Sequence, residues 1–386
     1  MTGLLDGITV LDLSSVGPAA RASRWLADYG ASVIKIGPMP SQTSVQIIPP
    51  FHSYSAHRGL QRILLDLKSS AGVECLLRLG AKADVVIESF RPGVVDRLGV
   101  GYADVAAVNP RVVYCSTTGF GQDGPRSQWA GHDLNYLAVS GFLALTGRDE
   151  TGKPPVPGAT VADSAGGGLQ AVSSILAALV ARAQSGTGCH LDVSIADGML
   201  GIMAIQIDEY LATGDEPYPG SGLLTGGYAC YDTYPTSDGG WLAVAAIENR
   251  FWRNLCALLG LERYAEAQMD SARQDEIRAA LCATFKTKTR QEWVTMLADR
   301  DTCVSPVLSV SEVVDDEQYA ARGMVAEVTH PVRDAFTQVA PPFAGMKTLP
   351  QYEATDVAHT DLDEVLGKAG FTHEEIANLR MTGVAS

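Results

Sequence analysis

Two segments carry side chains able to move a proton. Ala130-Gly131-His132-Asp133-Leu134-Asn135-Tyr136 offers a histidine, and Val161-Ala162-Asp163-Ser164-Ala165-Gly166-Gly167-Gly168 offers a carboxylate. Both are flanked by glycine, and each precedes an apolar run that reads as helix. Such a setting holds a titratable group at a helix mouth, where backbone N–H groups and the helix dipole favour negative charge. A base beside a ready-made anion site is what proton removal from carbon requires. Facing each other across a cleft, His132 and Asp163 would serve opposite faces of one carbon. Each also has a plain structural reading. Asp163 is a good helix cap, and an isolated histidine is more often a hydrogen-bonded structural residue. Asp133 is either a helix cap or the partner of His132.

The elements that must position these residues alternate between strand and helix. Apolar runs at 8–13, 31–36, 62–67, 83–88 and 112–117 read as strands. Stretches 21–29, 71–81 and 92–98 between them read as helices, the last with Pro92 in its first turn. This is the pattern of an α/β chain with a parallel sheet. The first turn, Ser14-Ser15-Val16-Gly17-Pro18-Ala19, is not Gly-x-Gly-x-x-Gly, which disfavours a dinucleotide site. Residues 169–184 read as a long apolar helix buried on most sides, 190–194 as a strand, and 198–211 as another apolar helix. The Pro- and Gly-rich stretch 214–227 reads as a linker. Beyond it, 228–235 and 241–246 form an expected hairpin around Asp238-Gly239-Gly240, followed by helices at 251–260, 270–284 and 289–300. From about 315 periodicity fades, apart from two short helices at 361–366 and 372–380.

Composition narrows the classes. The chain has 386 residues, 46% hydrophobic and 19% charged, in the range of a globular enzyme. A net charge of -15 argues against nucleic acid as partner, though not against a local basic pocket. Seven cysteines stand singly with no C-x-x-C pair, so reduced thiols and no metal site are expected. Met1-Thr2-Gly3-Leu4-Leu5-Asp6-Gly7 has no basic leader region. The expectation is a cytoplasmic protein with no signal peptide, transmembrane helix or membrane partner.

Five segments in order bear a family likeness: 5–13, 26–36, 65–69, Glu88-Ser89-Phe90-Arg91-Pro92-Gly93-Val94, and Gly119-Phe120-Gly121-Gln122-Asp123-Gly124-Pro125. Through them the chain resembles the family III CoA-transferase superfamily (CaiB/BaiF type), and within it the α-methylacyl-CoA racemase branch. The likeness implies a large Rossmann-like CoA-binding domain and a small α+β domain, in a homodimer of interlocked protomers. The domains would be 1–213 (large), 214–227 (linker), 228–315 (small) and 316–386, a return segment completing the large domain. By motif, His132 and Asp163 match the racemase pair, and Glu248 in Ala246-Ile247-Glu248-Asn249-Arg250-Phe251 matches a third racemase residue. The transferase branch usually lacks the histidine. Arg91 and Arg97 match positions near the CoA nucleotide, with Arg58, Arg62, Lys68 and Lys35 as further candidates. Two departures fall among these: Lys35-Ile36-Gly37-Pro38 lacks the usual acid, and the basic stretch reads His57-Arg58-Gly59-Leu60-Gln61-Arg62.

The chemistry this implies is epimerisation of a 2-methylacyl-CoA thioester by 1,1-proton transfer through an enolate. His132 would serve one face and Asp163 the other. Glu248 would hold the imidazole tautomer, and Gly166-Gly167-Gly168 would let backbone N–H groups approach the enolate. No cofactor is required beyond the CoA thioester substrate. The alternative is CoA transfer between carboxylic acids, with Asp163 forming an acyl anhydride. A third reading is CoA-ester binding without turnover. The acyl group itself is not identified.

Overall fold

The computed structural model describes residues 3–40, 50–349, 351–356 and 358–386. Six parallel strands form the main sheet: β1 (Thr9–Asp12), β2 (Ser32–Pro38), β3 (Leu60–Leu65), β4 (Val85–Glu88), β5 (Val113–Thr118) and β6 (Cys189–Ser194). Their order is β3-β2-β1-β4-β5-β6, the doubly wound order. Val10, Leu11, Val85, Val86, Ile87, Val113, Tyr114 and Cys115 are buried on one face or the other, as in a sheet covered on both sides. The order reverses between β1 and β4. The crevice beyond their carboxyl ends is where such sheets take their ligands.

Helix α1 (Gly17–Asp28) follows β1, with Pro18 in its first turn. Helix Ser70–Gly80 links β3 to β4, and the short helix Val94–Leu98 follows β4. The chain around Asp163 winds as a π-helical stretch, Ala162–Leu169, and continues as helix Gln170–Ser185. That continuous helix is long and apolar enough to cross a membrane by length and composition. Its Ala171, Val172, Ile175 and Ala178 lie in the core against the sheet. The expectation of burial on most sides is corrected: one face is buried, while Leu169 and Val180 on the rest of the helix are exposed. The single helix expected over 198–211 is two, Ile195–Ile202 and Ala204–Thr213, because Met203 leaves helical dihedrals.

The chain divides into two compact units. One comprises 1–140, 157–204 and 317–386; the other comprises 141–156 and 205–316. The change of unit thus falls at 204/205, ahead of the Pro- and Gly-rich stretch, and 141–156 groups with the second unit. The second unit holds β7 (Tyr231–Pro235), β8 (Trp241–Ala245) and β9 (Val304–Pro306) in one antiparallel sheet. Its own core is built on Trp252, Leu281, Phe285 and Trp293. The return segment adds β10 (Val325–His330), β11 (Arg333–Val339) and β12 (Tyr352–Glu353) to the first unit. Its helices Leu362–Ala369 and His373–Met381 cover the β3 side, and Ser386 and Leu64 exchange backbone hydrogen bonds.

Candidate active site

Asp163 is placed by its neighbours along the π-helical stretch. A Cβ on Gly167 would lie 2.6 Å from Pro18 Cβ, and one on Gly168 would lie 2.8 Å from the Trp25 ring. The glycines therefore let this stretch settle directly on α1. The expectation that they bare backbone N–H groups to an enolate is corrected: they lie inside a π-helical run, which commits those N–H groups to the helix's own carbonyls. The packing brings Asp163 beside Arg21 of α1 and against Asp133, whose Oδ1 accepts a hydrogen bond from the Asp163 N–H at 2.9 Å. Asp133 thus ties the two candidate segments together.

His132 is the residue before helix Asp133–Val139, in extended conformation, with its N–H donating to Asn135 Oδ1 at 3.0 Å. Its imidazole is exposed. It lies close enough to Asp163 for its charge to act there. The Asp163 carboxyl is pushed above the usual aspartate range, first by burial and then by the Asp133 charge, with Arg21 and His132 pulling the other way. Tyr136, buried beneath Gly131, is pushed up to about 12 by burial and by the charges of Asp163 and Asp133. The first unit therefore brings His132 and Asp163 together, with Asp133, Tyr136 and Arg21 around the carboxyl. Glu248 stands in the second unit, exposed, immediately before helix Asn249–Leu259.

The candidate cations separate into two groups. Arg91 and Arg97, in and after the β4 turn, and Lys68 after β3 are exposed, and none is ion-paired with a described residue. Arg62 is half-buried on β3, within reach of the Asp356 charge. Lys35 and Arg58 are corrected as free phosphate ligands, because both are internal and already paired. Lys35 Nζ meets Asp12 Oδ2 at 2.7 Å, and Arg58 Nη2 meets Asp28 Oδ2 at 3.2 Å. Burial of each charge is tolerable because an opposite charge accompanies it. Among the described residues no cluster of His, Cys, Asp and Glu is arranged to hold a metal ion.

A cavity of about 630 Å³ opens beside the amino end of α1, just past the carboxyl end of β1. Its walls include Val16, Arg21, Arg24, Trp25, Tyr54 and Ser55. Tyr54 OH accepts a hydrogen bond from the Gly17 N–H at 2.7 Å. The tyrosine is held there by an unusual turn: Tyr54, Ser55, Ala56 and His57 all lie near φ +50°. Left-handed backbone costs an L-residue about 1–2 kcal/mol. The surroundings fix it, since Ala56 is buried against Val328, Tyr352 and Ala354, and Thr355 bonds the carbonyls of both Ala56 and His57. None of Arg21, Arg24 and Tyr54 stands out in the sequence. The one signal is the i, i+3 spacing of the two arginines, which puts them on one side of α1.

A doubly wound sheet with a histidine, a half-buried carboxyl and exposed cations near its carboxyl edge defines an α/β protein with cationic side chains where such sheets take their ligands. The CoA-transferase family III model matches residues 5–356, and the chain belongs to that family. The chain is 34% identical over 376 residues to the human α-methylacyl-CoA racemase, covering 97% of this chain and 96% of the relative. It is also 33% identical over 339 residues to the succinate–glutarate CoA-transferase of Agrobacterium fabrum, covering 83% of this chain and 84% of that one. A crystal structure of a CaiB/BaiF family protein from Brucella suis superposes with a TM-score of 0.72 at 32% identity, over 88% of this chain and 95% of that one.

Proposed function

We propose that the protein is an acyl-CoA racemase that inverts the 2-methyl centre of a branched acyl-CoA thioester. The observation that carries this reading is the pairing of His132 with Asp163 in one unit. The carboxyl's affinity for a proton is raised, and the charge of an exposed imidazole reaches it. One group takes the α-proton, and the electron pair moves onto the thioester oxygen. The other group then returns a proton to the opposite face, so the carbon is inverted and no atom is gained or lost. A carboxyl held above the usual aspartate range binds a proton more readily than a free aspartate, which suits it to return one. Exposed Arg91, Arg97 and Lys68 would meet the CoA phosphates. The same reading carries the expectations of a homodimer, a cytoplasmic location and no added cofactor.

A second reading, CoA transfer through an Asp163 anhydride, is supported by the similarity to the Agrobacterium transferase and to the acetyl-CoA:oxalate CoA-transferase of Acetobacter aceti. The deciding experiment is incubation of one epimer of a 2-methylacyl-CoA in D2O, with and without a free carboxylic acid. Racemisation with deuterium at the α-carbon and no acid present is the expected result. A new CoA ester formed only when acid is added, without exchange, would replace it with transfer. Asp163→Asn and His132→Asn should each slow exchange by about 10²–10⁴-fold, while a pure transferase would tolerate the His132 change.

A further inference from the structure

The cavity beside α1 has a charge imbalance in its wall. Asp28 accepts from Arg24 Nη2 at 2.7 Å and from Arg58 Nε and Nη2 at 3.3 and 3.2 Å. One carboxylate therefore lies between two guanidinium groups, and all three residues are at most 5% exposed. Arg58 is further satisfied by the Val339 carbonyl at 3.0 Å and by the face of Tyr352, 4.7 Å from its guanidinium. Arg24 is not: its Nε and Nη1 are buried without a hydrogen-bond partner among the described residues. Positions 1, 2, 41–49, 350 and 357 contain no Asp or Glu, so the rest of the chain has no side-chain carboxylate to supply. A buried guanidinium with idle donors is costly until an anion meets it.

The neighbours in the cavity wall have the same bias. Arg21 Nη2 donates to Thr160 Oγ1 at 2.7 Å, while its Nε lacks a described partner. Tyr54 uses its oxygen as an acceptor toward Gly17 and keeps its own proton to donate. The rest of the wall is Val16, Trp25 and Pro50, with Ser53 and Ser55 beside them. Apolar walls with a few convergent donors suit a small organic anion. Arg21 also links the cavity to the chemistry, because its charge acts on the Asp163 carboxyl.

We propose that this cavity is an acyl-group subsite for a carboxylate, so that the substrate is a CoA thioester whose short acyl chain carries a second, ionised carboxyl group. Arg24 and Arg21 receive that carboxylate, and Tyr54 donates to it. The proposal rests on the reading above insofar as the reacting α-carbon lies at Asp163.

The test is equilibrium binding to the full-length protein of two thioesters of one length. One is 2-methylglutaryl-CoA, joined through the carboxyl next to the methyl branch. The other is 2-methylpentanoyl-CoA, with a methyl group in place of the distal carboxylate. Free CoA is the third ligand. The expected result is an about ten- to hundredfold preference for the carboxylated thioester. Arg24→Met should erase the preference, Arg24→Lys should restore part of it, and free CoA affinity should not change. No preference in the unmodified protein overturns the proposal, and so does an equal loss of free CoA affinity in Arg24→Met, which would assign the arginine to a CoA phosphate. Arg21→Leu supplies a second variant should Arg24→Met not fold. Deuterium exchange, followed in parallel, separates the two ideas: preference without exchange sinks the racemase but leaves the subsite, and exchange without preference does the reverse.

Discussion

Two buried ionic groups lie in the same unit and differ in one respect. At the carboxyl end of β1, Asp12 meets Lys35 from the middle of β2 at 2.7 Å, and Ser14 N–H and Oγ satisfy the other Asp12 oxygen at 2.8 and 2.6 Å. That group is closed, with one cation, one anion and the carboxylate fully bonded. At the end of α1, Asp28 is shared by Arg24 and Arg58, and Arg24 keeps two idle nitrogens beside a cavity. A closed pair needs nothing from outside the chain. An open one carries excess positive charge that only a ligand can neutralise. The contrast separates an ion pair that serves the fold from one that serves recognition.

The largest effect should come from removing the shared anion. Asp28→Asn leaves two guanidinium groups facing each other with no countercharge. Loss of one partner from a buried pair costs about 3–5 kcal/mol, and this case should reach the top of that range. Urea unfolding of the variant against the parent measures it, and a loss below about 1 kcal/mol would mean that water already screens the group. Next is Lys35→Met, expected to cost about 3 kcal/mol because Asp12 retains its two Ser14 bonds. Pairing it with Asp12→Leu should recover most of that loss. If the double variant is no better than the single one, the pair is not closed as described.

The contrast also marks how far the sequence can be read. Strands β1 to β5 are legible because each is a short apolar run bounded by turn residues. His132 and Asp163 draw notice in the sequence because both sit in glycine-flanked helix entries, and the structure puts them in one unit with the imidazole's charge reaching the carboxyl. The open group is not. Arg24 and Asp28 stand four apart on a helix, which reads as a surface ion pair, and they are buried only because Arg58 and Tyr352 arrive from distant parts of the chain. The sheet of β10, β11 and β12 escapes for the same reason. Its strands are mostly half-exposed, and its buried side is completed by Ala56, far away in sequence. The glycine run is legible as a close approach, and the surfaces approaching it are α1, at Gly167 and Gly168, and helix Ile195–Ile202, at Gly166.

A third prediction uses His57 to sense the excess charge. The imidazole is buried and pushed down to about 4 from an ordinary 6.5, first by burial and then by the Lys35 and Arg24 charges. A lowered pKa in the folded state means that the neutral form belongs to the native protein. Above about pH 6.5 neither state binds the proton and the contribution to stability is intact. As pH falls toward about 4 the unfolded chain protonates first, and up to about 3 kcal/mol is lost. His57→Asn, chosen because asparagine tolerates positive φ, should flatten this part of the stability–pH curve relative to the parent. Parallel curves would remove His57 from the cluster's electrostatics.

The smallest effect is the most discriminating. Arg24→Met removes a cation from the open group and leaves Arg58 alone with Asp28, one charge against one. Where Lys35→Met destabilises, Arg24→Met should change stability by less than about 1 kcal/mol in either direction. The lost bond to Asp28 is offset by relief of the repulsion from Arg58 and of two unsatisfied nitrogens. Calorimetric unfolding without ligand gives the comparison directly. A loss as large as that of Lys35→Met would show that Arg24 serves the fold. A near-neutral change, together with loss of the carboxylate preference, would show that its charge is kept for what enters the cavity.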